Sequence, residues 1–361
     1  MKPTRVLDDT DKDTSVAPVQ YDITSFGADY DVEGLVRRLR RDDIVVPGFQ
    51  RDYVWSISEA SRFIESLLLG LPVPGIFLAR DSITNHLIVI DGQQRLKSLR
   101  FFFDGYFDPG DDSRSKRVFR LTKVQKRFEG LTYDELNEDD KRLLNDSIIH
   151  ATIVKQEKPD DDDTSIYHIF ERLNNSGRKL TAQQIRVAIY HGSFIDLIKS
   201  LNEYPNWRTI YGKYASSLKD QELILRFLAL YYASDDYKRP MSEFLNRFAM
   251  WGRRQSEEVL RECEEVFKKT IDIIYDAIGP RAFRPERALN AAVYDSVMVG
   301  IAHRLMTSEP IELEEIYSAY TELLNDQVYL DLISQSTSDE KNVEARLELA
   351  IEKFSYKELS F

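Results

Sequence analysis

The hydrophobic pattern of the chain changes at about Gly192, and this change limits the folds that the sequence can adopt. Before it, short apolar runs typical of strands alternate with runs of helical spacing. After it, apolar residues recur at helical spacing in seven candidate helices, which show no regular repeat. We therefore expect an α+β N-terminal half followed by an all-α C-terminal half.

Composition excludes several classes of protein. The chain has 361 residues, enough for one large domain or two ordinary ones. Its single cysteine, Cys263, excludes an internal disulfide and a cysteine-based zinc site. No apolar run is long enough to span a bilayer and no signal-peptide pattern is present, so we expect a cytoplasmic protein without a membrane segment. A net charge of −12 argues against nucleic-acid binding through bulk charge, so any such surface should be local.

The same pattern predicts the domain boundaries. Residues 1–20 are polar and are expected to form a disordered tail, residues 21–192 an α+β domain, and residues 193–361 a helical domain. The elements of the α+β domain are expected to begin in the order helix, strand, helix, hairpin, helix. A basic insertion at about 106–130 contains "SRSKRVFRLTKVQKR", with seven Lys or Arg and no acid. This stretch is either a contact for a nucleic-acid backbone or a solvated hairpin face.

The first candidate site is "VIDGQQRL", in which an apolar strand runs into Asp91 and Gly92 and a helix follows Arg95. The N-terminus of a helix has unpaired N–H groups and a positive dipole end, which favour phosphate. Gly92 allows close approach of a ligand, Arg95 offers bidentate donors, and Asp91 has the chemistry to hold a divalent metal or orient a water. The alternative is an ordinary turn in which Asp91 caps the helix and Arg95 is solvated.

The second candidate site is "PGFQRDYVW", in which Gln50 and Arg51 follow a Pro-Gly turn. The aromatic residues Phe49, Tyr53 and Trp55 surround this charge and would suit stacking of a base or desolvation of a phosphate contact. Alternatively, the aromatic rings pack beneath the loop and Arg51 makes a structural salt bridge.

The third candidate site is "FERLNNSGRKLT", where Glu171, Arg172 and Asn174 lie at the end of a predicted helix. A carboxylate, a guanidinium and an amide together suit a metal ion and a phosphate. The alternative is C-capping by Asn174 or Asn175 beside a surface Glu–Arg pair. The five histidines show no metal-ligand spacing, and no Walker A or GxSxG sequence occurs.

Taken in order, the three motifs resemble a known family. They correspond to its P-x-Y-Q-R-x-Y-x-W element, its D-G-Q-Q-R loop and its F-x-R-[IL]-N element with a glycine turn, here at Pro47–Trp55, Asp91–Arg95 and Phe170–Asn174 with Gly177. This is the ParB/sulfiredoxin-like family that forms the N-terminal half of GmrSD-type modification-dependent (type IV) restriction enzymes. The resemblance extends from about residue 25 to residue 250.

The resemblance implies a ParB/sulfiredoxin-like fold, Mg²⁺-dependent binding and hydrolysis of a nucleoside triphosphate, and a role in defence against phage DNA. It assigns residues by role. Catalytic positions are Asp91, Gln94 and Arg95, with Gln94 expected to position a water; nucleotide-binding positions are Gln50, Arg51, Gly92, Gln93, Gln94, Arg95, Arg172 and Asn174; metal-binding positions are Asp91 and Glu171. The two Gln-Arg pairs are thereby expected to converge on one phosphate-bearing ligand.

Two residues depart from the family pattern. Phe49 replaces the usual Tyr and lacks its hydroxyl, which weakens any role in sensing a modified phosphate. Gln93 stands where ParB-type loops have Glu, so the metal is expected to rely on Asp91 or Glu171. The HNH nuclease half of the full restriction enzymes is not expected in residues 251–361, because their only histidine, His303, lies in an apolar helix.

The expected function is a nucleotide-dependent switch of a DNA-targeting defence system, with modified DNA, a separate nuclease subunit or a second copy of this chain as partners. Two alternatives remain open. One is a non-enzymatic reader of modified DNA, whose pocket holds a DNA phosphate. The other is a DNA nuclease that acts through the ParB-like domain itself.

Overall fold

The structure is a computed structural model. It describes residues 4–8, 22–46, 53–81, 83–108, 116–158, 164–173, 180–307 and 311–355. The described residues divide into two compact units. The sheet unit comprises the described residues of 20–180 together with 187–189, and the helical unit comprises 4–8, 181–186 and the described residues from 190 onward. The expected α+β class, with a helical region after about residue 190, is confirmed.

The described residues form nine strands and fifteen α-helices. The strands are β1 (Val6–Leu7), β2 (Asp22–Asp31), β3 (Ile44–Val45), β4 (Ile76–Arg80), β5 (Leu87–Asp91), β6 (Tyr106–Phe107), β7 (Arg117–Val118), β8 (Ile148–Lys158) and β9 (Leu289–Asn290). The helices of the first half are α1 (Val32–Arg40), α2 (Ile57–Leu68), α3 (Gln93–Asp104), α4 (Glu138–Asn145), α5 (Thr164–Leu173) and α6 (Ala182–Ile189). Those that follow are α7 (Ser193–Asn202), α8 (Pro205–Tyr211), α9 (Lys219–Ala233), α10 (Met241–Arg253), α11 (Glu257–Ala277), α12 (Ala291–Leu305), α13 (Leu313–Asn325), α14 (Gln327–Leu332) and α15 (Glu340–Phe354).

The sheet unit is built on a mixed five-stranded sheet with the strand order β2-β8-β4-β5-β3. The pairs β8–β4 and β5–β3 are parallel, and the pairs β2–β8 and β4–β5 are antiparallel. Residues Leu87–Ile90 of β5 are all buried. A strand covered on both faces needs apolar residues at consecutive positions, which explains the unbroken run "LIVI".

Two sequence predictions within this unit are wrong. The unit begins with strand β2, which is ten residues long, and not with a helix. Because β2 lies at the edge of the sheet and most of its residues are exposed, its sequence lacks the apolar alternation that marks a strand. The second concerns the polar segment "LTYDELNEDDKRLLND" at 131–146, whose sequence predicts a helix throughout. The helix begins only at Glu138, because the side chain of Asn137 accepts the backbone N–H of Asp140 at 2.8 Å and caps it there.

Helices α1 to α4 pack on one face of the sheet and close its main hydrophobic core. Helix α5 lies against β8 and β5. The basic insertion contributes to the main core, since Phe119, Leu121 and Phe128 are fully buried there. The described part of the insertion is therefore integral to the sheet unit, and its Lys and Arg side chains are exposed.

The helical unit is organised around α12, of which 13 residues are buried. Helices α9, α11 and α15 all contact it, so its sequence is apolar around most of its circumference. Cys263 is buried in α11, and burial raises the pKa of its thiol to about 11, which suppresses the reactive thiolate. Among the described residues, no helix has both the length and the apolar character needed to cross a bilayer.

A network of buried charges lies inside the helical unit. Arg226 is fully buried and donates to both carboxylate oxygens of Asp295, at 2.9 Å from Nε to Oδ1 and 2.7 Å from Nη2 to Oδ2. Arg346 donates to the same carboxylate at 3.1 Å. Arg226 and Lys219 also bind the carboxylate of Asp8, at 2.9 and 2.7 Å. Each of these charges therefore has an opposite charge in contact, as buried ions require.

Glu222 extends this network. Burial opposes ionisation of its carboxyl, but the positive charges of Lys219 and Arg186 outweigh burial and hold its pKa below the ordinary value. Arg186 is itself fully buried and donates from Nε to Asn246 at 2.9 Å and from Nη1 to Gln183. The network thus links α6, α9, α12 and α15 with the N-terminal segment.

Residues 4–8, which the sequence analysis places in a disordered tail, instead form part of the helical unit. Strand β1 pairs in parallel with β9, with Val6 opposite Leu289. The hydroxyl of Thr4 donates to the carbonyl oxygen of Tyr211 at 3.0 Å. The tail was misread because its polar Asp8 gives no sign in the sequence of having a buried partner. Residues 9–20 lie outside the described residues.

We expect Asp8→Asn to destabilise the helical unit strongly. The substitution leaves Arg226 and Lys219 without their shared carboxylate, and breaking a buried ion pair from one side costs about 3–5 kcal/mol. Urea unfolding followed by circular dichroism measures this loss. The control is Asp236→Asn, an exposed carboxylate of the same unit, which should change the free energy of unfolding by less than about 0.5 kcal/mol. Equal stabilities of the two variants would contradict the described role of Asp8.

Candidate functional site

The candidate site lies where β5 ends and α3 begins. Strands β3 and β5 are parallel neighbours, so their carboxyl ends meet at the same edge of the sheet. The "DGQQR" motif follows β5 at this edge. Gln50 and Arg51 follow β3 in the chain but lie outside the described residues. The structure therefore describes the "DGQQR" loop and the residues on either side of 47–52, but not 47–52 themselves.

Gly92 is required at this junction for two separate reasons. Its φ of +102° is in the left-handed region, which residues other than glycine rarely adopt. A Cβ atom built on Gly92 would also lie 2.4 Å from Cγ2 of Ile76. The backbone of the loop therefore lies directly against β4. Gly92 occupies the N-cap position of α3 and offers no side chain to bond the first N–H groups of that helix.

Arg95 braces the junction. Its Nη2 donates to Oδ2 of Asp91 at 2.8 Å and to the carbonyl oxygen of Gly75 at 3.0 Å. The Arg95 side chain is only 15% exposed. Its Nε is buried, and no acceptor for it exists in the described part of the chain. One edge of the guanidinium is therefore used structurally, while a buried donor on the same group is unsatisfied.

Asp91 offers the one carboxylate of the "DGQQR" loop. Its side chain is 52% exposed and pairs with Arg95, so it is not the helix cap that the ordinary-turn interpretation requires. Over the described ranges, no group of three His, Cys, Asp or Glu residues is arranged to hold a metal ion. Mg²⁺ is commonly held by one or two carboxylates together with phosphate oxygens and waters, and an exposed Asp91 fits that requirement.

The two glutamines of the loop differ in environment. Gln93 is nearly buried, with 9% of its surface exposed. Gln94 uses its side-chain oxygen to accept the backbone N–H groups of Val54 and Trp55, at 3.1 and 3.2 Å. The expected catalytic role of Gln94 in orienting a water therefore competes with a structural role for the same oxygen.

The aromatic residues of the second motif pack inward. Tyr53 is buried, and its ring meets those of Phe101 and Phe107 edge-on, with centroids 5.0 and 5.4 Å away. Trp55 packs on Phe63 at 5.8 Å. The interpretation in which the aromatic rings lie beneath the loop holds for Tyr53 and Trp55, and their availability for stacking a base is not supported. Phe49 lies outside the described residues.

Residues 32–191 match the family described as the GmrSD restriction endonuclease N-terminal domain. The match spans β3, the "DGQQR" loop and the segment 170–174, so all three motifs fall within it. It supports a GmrSD-type restriction-enzyme N-terminal domain in this part of the chain, and with it a protein of a restriction defence system. No curated protein sequence matches the chain.

Of the third motif, residues 170–173 lie at the end of α5, and the rest lies outside the described residues. Glu171 is exposed, and its carboxylate lies 3.7 Å from Nδ1 of His168. Because α5 contacts β5, Glu171 belongs to the helix that packs on the strand ending at Asp91. The side chain of Arg172 and all of Asn174 lie outside the described residues, so their expected nucleotide contacts remain predictions.

One residue of the junction was missed by the sequence analysis. Gly75 supplies the carbonyl that Arg95 binds, and a Cβ atom on Gly75 would lie 2.7 Å from the carbonyl oxygen of His150. The signal for it was the "VPG" sequence just before β4, which marks a turn without saying what the turn contacts.

We expect Gly92→Ala to destabilise the sheet unit by more than Gly70→Ala. Both glycines have positive φ, +102° and +67°, but a Cβ atom on Gly70 meets nothing within 4 Å. Gly70→Ala therefore measures left-handed strain alone, about 1–2 kcal/mol, and Gly92→Ala adds the clash with Ile76. Thermal unfolding of both variants tests this. Equal losses would show that the loop does not lie against β4 as described.

Proposed function

We propose that the GmrSD-type domain binds a nucleoside triphosphate with Mg²⁺ at the N-terminus of α3 and acts as a nucleotide-dependent switch of a DNA-targeting defence system. The observation that carries this proposal is the combination of Gly92 at an N-cap without a side-chain bond and a mostly buried Arg95 beside it. The family match supports the defence role and does not bear on the nucleotide.

The chemistry of the junction suits phosphate. The first N–H groups of a helix have no partner within the helix, and the positive end of its dipole favours an anion. Arg95 adds a fixed positive charge, held in place by Asp91 and Gly75, and an unsatisfied buried Nε donor. Leaving a buried donor unpaired costs about 1–3 kcal/mol, and an oxygen of a bound phosphate would satisfy it.

Asp91 is the residue best suited to hold the magnesium ion, with Glu171 of α5 as the second carboxylate in the proposal. Bound Mg²⁺ would neutralise charge on the phosphates. Arg95 would stabilise the charge that develops on the transferred phosphoryl group during hydrolysis, a preorganised electrostatic role. Gln50, Arg51, Arg172 and Asn174 would complete the nucleotide contacts. Cutting of DNA is assigned to a separate nuclease subunit, with a second copy of this chain as another partner.

A second candidate function, reading of DNA without nucleotide turnover, is favoured by the basic surface (Lys116, Arg117, Lys123, Lys126 and Arg127). All five side chains are exposed, and none forms an ion pair with an Asp or Glu of the described residues. Lys116 lies over the ring of Tyr106 at 4.7 Å, and that ring is itself 50% exposed. Unpaired cations beside an exposed ring suit phosphate contact and base stacking.

We expect Arg95→Ala to abolish nucleotide binding or weaken it severely. In a thermal-shift panel of the four ribonucleoside triphosphates with and without Mg²⁺, a ligand at 100 times its Kd should stabilise the wild-type chain by about 2.7 kcal/mol. The variant should lose this stabilisation, and any hydrolysis should fall roughly 10²–10³-fold.

Arg100→Ala is the matched control for this test. Arg100 is on the same helix, is exposed and pairs with Asp104, so its loss should leave binding unchanged. The unfolding temperatures of both variants without ligand correct for the bracing role of Arg95. Unchanged nucleotide binding by Arg95→Ala would refute the site assignment, and no stabilisation of the wild type by any nucleotide would refute the function.

For the second function, we expect a charge reversal on the basic surface to weaken DNA binding and flatten its salt dependence. Lys116→Glu/Arg117→Glu removes two cations, so the slope of log K against log salt should fall by about two. Lys268→Glu/Lys269→Glu on the helical unit changes the net charge equally and should leave the slope unchanged. Filter binding with modified and plain duplexes measures both. If the two double substitutions changed DNA binding equally, net charge alone would explain the effect, and the basic surface would be excluded as the DNA-binding site.

A further inference from the structure

One face of α3 holds the chain segment Tyr53–Ser56, which lies just before α2. Gln94, in the first turn of α3, accepts the N–H groups of Val54 and Trp55 on one side-chain oxygen, at 3.1 and 3.2 Å. Both bonds join residues about 40 positions apart in the chain. A single side chain thus fastens the segment to the first turn of the helix.

Two further contacts reinforce this attachment along the same face. The hydroxyls of Tyr53 and Ser98 lie 2.6 Å apart, and Ser98 in turn donates to the backbone carbonyl of Gln94 at 2.6 Å. Because Ser98 gives its single hydroxyl proton to Gln94, the hydroxyl of Tyr53 is the donor to Ser98. Burial raises the pKa of this Tyr53 hydroxyl. The ring of Tyr53 packs on Phe101. Residues 94, 98 and 101 follow helical spacing and together form what we term the α3 clasp.

The segment in the clasp sets the start of α2. Ser56 is the N-cap of α2, and its hydroxyl and backbone N–H form a capping box with Glu59. The backbone of Val54 and Trp55, directly before the cap, is held by Gln94. The first turn of α2 is therefore positioned by the first turn of α3, in which Arg95 contacts Asp91 and Gln94 contacts the segment Tyr53–Ser56.

We propose that Gln94 is a positioning residue that couples anion binding at the N-terminus of α3 to the segment Tyr53–Ser56. This inference rests on the proposed nucleotide site, but it gives Gln94 a role other than orienting water. Gln94 and Arg95 are adjacent in one helical turn. An anion that binds Arg95 and the first N–H groups of α3 restricts the motion of the first turn of this helix. Through the α3 clasp, the segment Tyr53–Ser56 is then restricted as well.

Two substitutions separate positioning from direct contact with ligand. Gln94→Glu keeps a side-chain oxygen that accepts the two N–H groups but loses the amide N–H donors and adds a negative charge. Gln94→Met keeps the length of the side chain but loses the oxygen acceptor. Positioning requires the oxygen, so Gln94→Glu should keep the amides of Val54 and Trp55 protected and Gln94→Met should not. The negative charge of Gln94→Glu lies beside the proposed phosphate site and weakens nucleotide binding by repulsion in any case, so nucleotide affinity is compared between the wild type and Gln94→Met.

The experiment is hydrogen exchange at the amides of Val54 and Trp55, combined with nucleotide titration of the same full-length proteins. Without ligand, both amides should exchange roughly tenfold faster in Gln94→Met than in the wild type, as expected for losing about one hydrogen bond, and at the wild-type rate in Gln94→Glu. Nucleotide with Mg²⁺ should slow exchange at these two amides in the wild type and not in Gln94→Met. The Kd of the nucleotide should rise about tenfold in Gln94→Met. The exposed Gln125→Met is the control for the substitution itself.

The possible failures are distinct. Unchanged exchange in unliganded Gln94→Met would overturn the clasp. Weaker nucleotide binding by Gln94→Met without faster exchange at Val54 and Trp55 would assign Gln94 to the ligand and overturn positioning. Wild-type nucleotide affinity in Gln94→Met would overturn the coupling while leaving the proposed function intact. If the wild-type chain binds none of the four nucleotides, the proposed function fails and the coupling is rejected with it.

Discussion

The contact of Arg95 with Asp91 and with the carbonyl oxygen of Gly75 is the interaction on which the candidate site depends. It joins the end of β5, the turn before β4 and the first turn of α3 through one guanidinium nitrogen. Because the group is mostly buried, its charge acts in a medium less polar than water and its direction is fixed. A helix N-terminus is a common feature of proteins, but here a rigid cation stands beside it. The pair distinguishes this junction from an ordinary turn.

Local features of this site were predictable from the sequence, whereas its long-range contacts were not. Asp91, Gly92 and Arg95 follow an apolar strand within a few residues, so the strand, the left-handed turn and the helix start each leave a local signal. Gln94 leaves none, because its partners are backbone N–H groups that any residue possesses. For Tyr53 the sequence left open whether the ring stacks on a base or packs beneath the loop. Its partner Ser98 lies 45 positions away, and only the fold brings the two hydroxyls together.

The helical class of the second unit was predictable from the sequence, but the ion pairs in its interior were not. Helical spacing identified its main helices, and apolar residues on α12 marked its centre. Arg226, Arg346 and Asp295 are fully buried, although charged residues at helical spacing usually face solvent. Such ions contribute little net stability compared with apolar residues of the same size, but they tolerate few alternative partners. The buried ion pairs therefore help to determine which helices pack together, and the hydrophobic pattern alone does not reveal this.

The pairing of Val6 with Leu289 has a consequence for how the protein is made. The sheet unit is an insertion between the first strand of the helical unit and all of its helices. During synthesis, residues 22–158 can complete their sheet while β1 waits for a partner that has not yet been translated. Closing a loop of this length is slow. The carboxylate of Asp8 stays hydrated until Arg226 has been synthesised and can pair with it. Strand β1 is therefore synthesised before the sheet unit but can pair only after β9 has been translated.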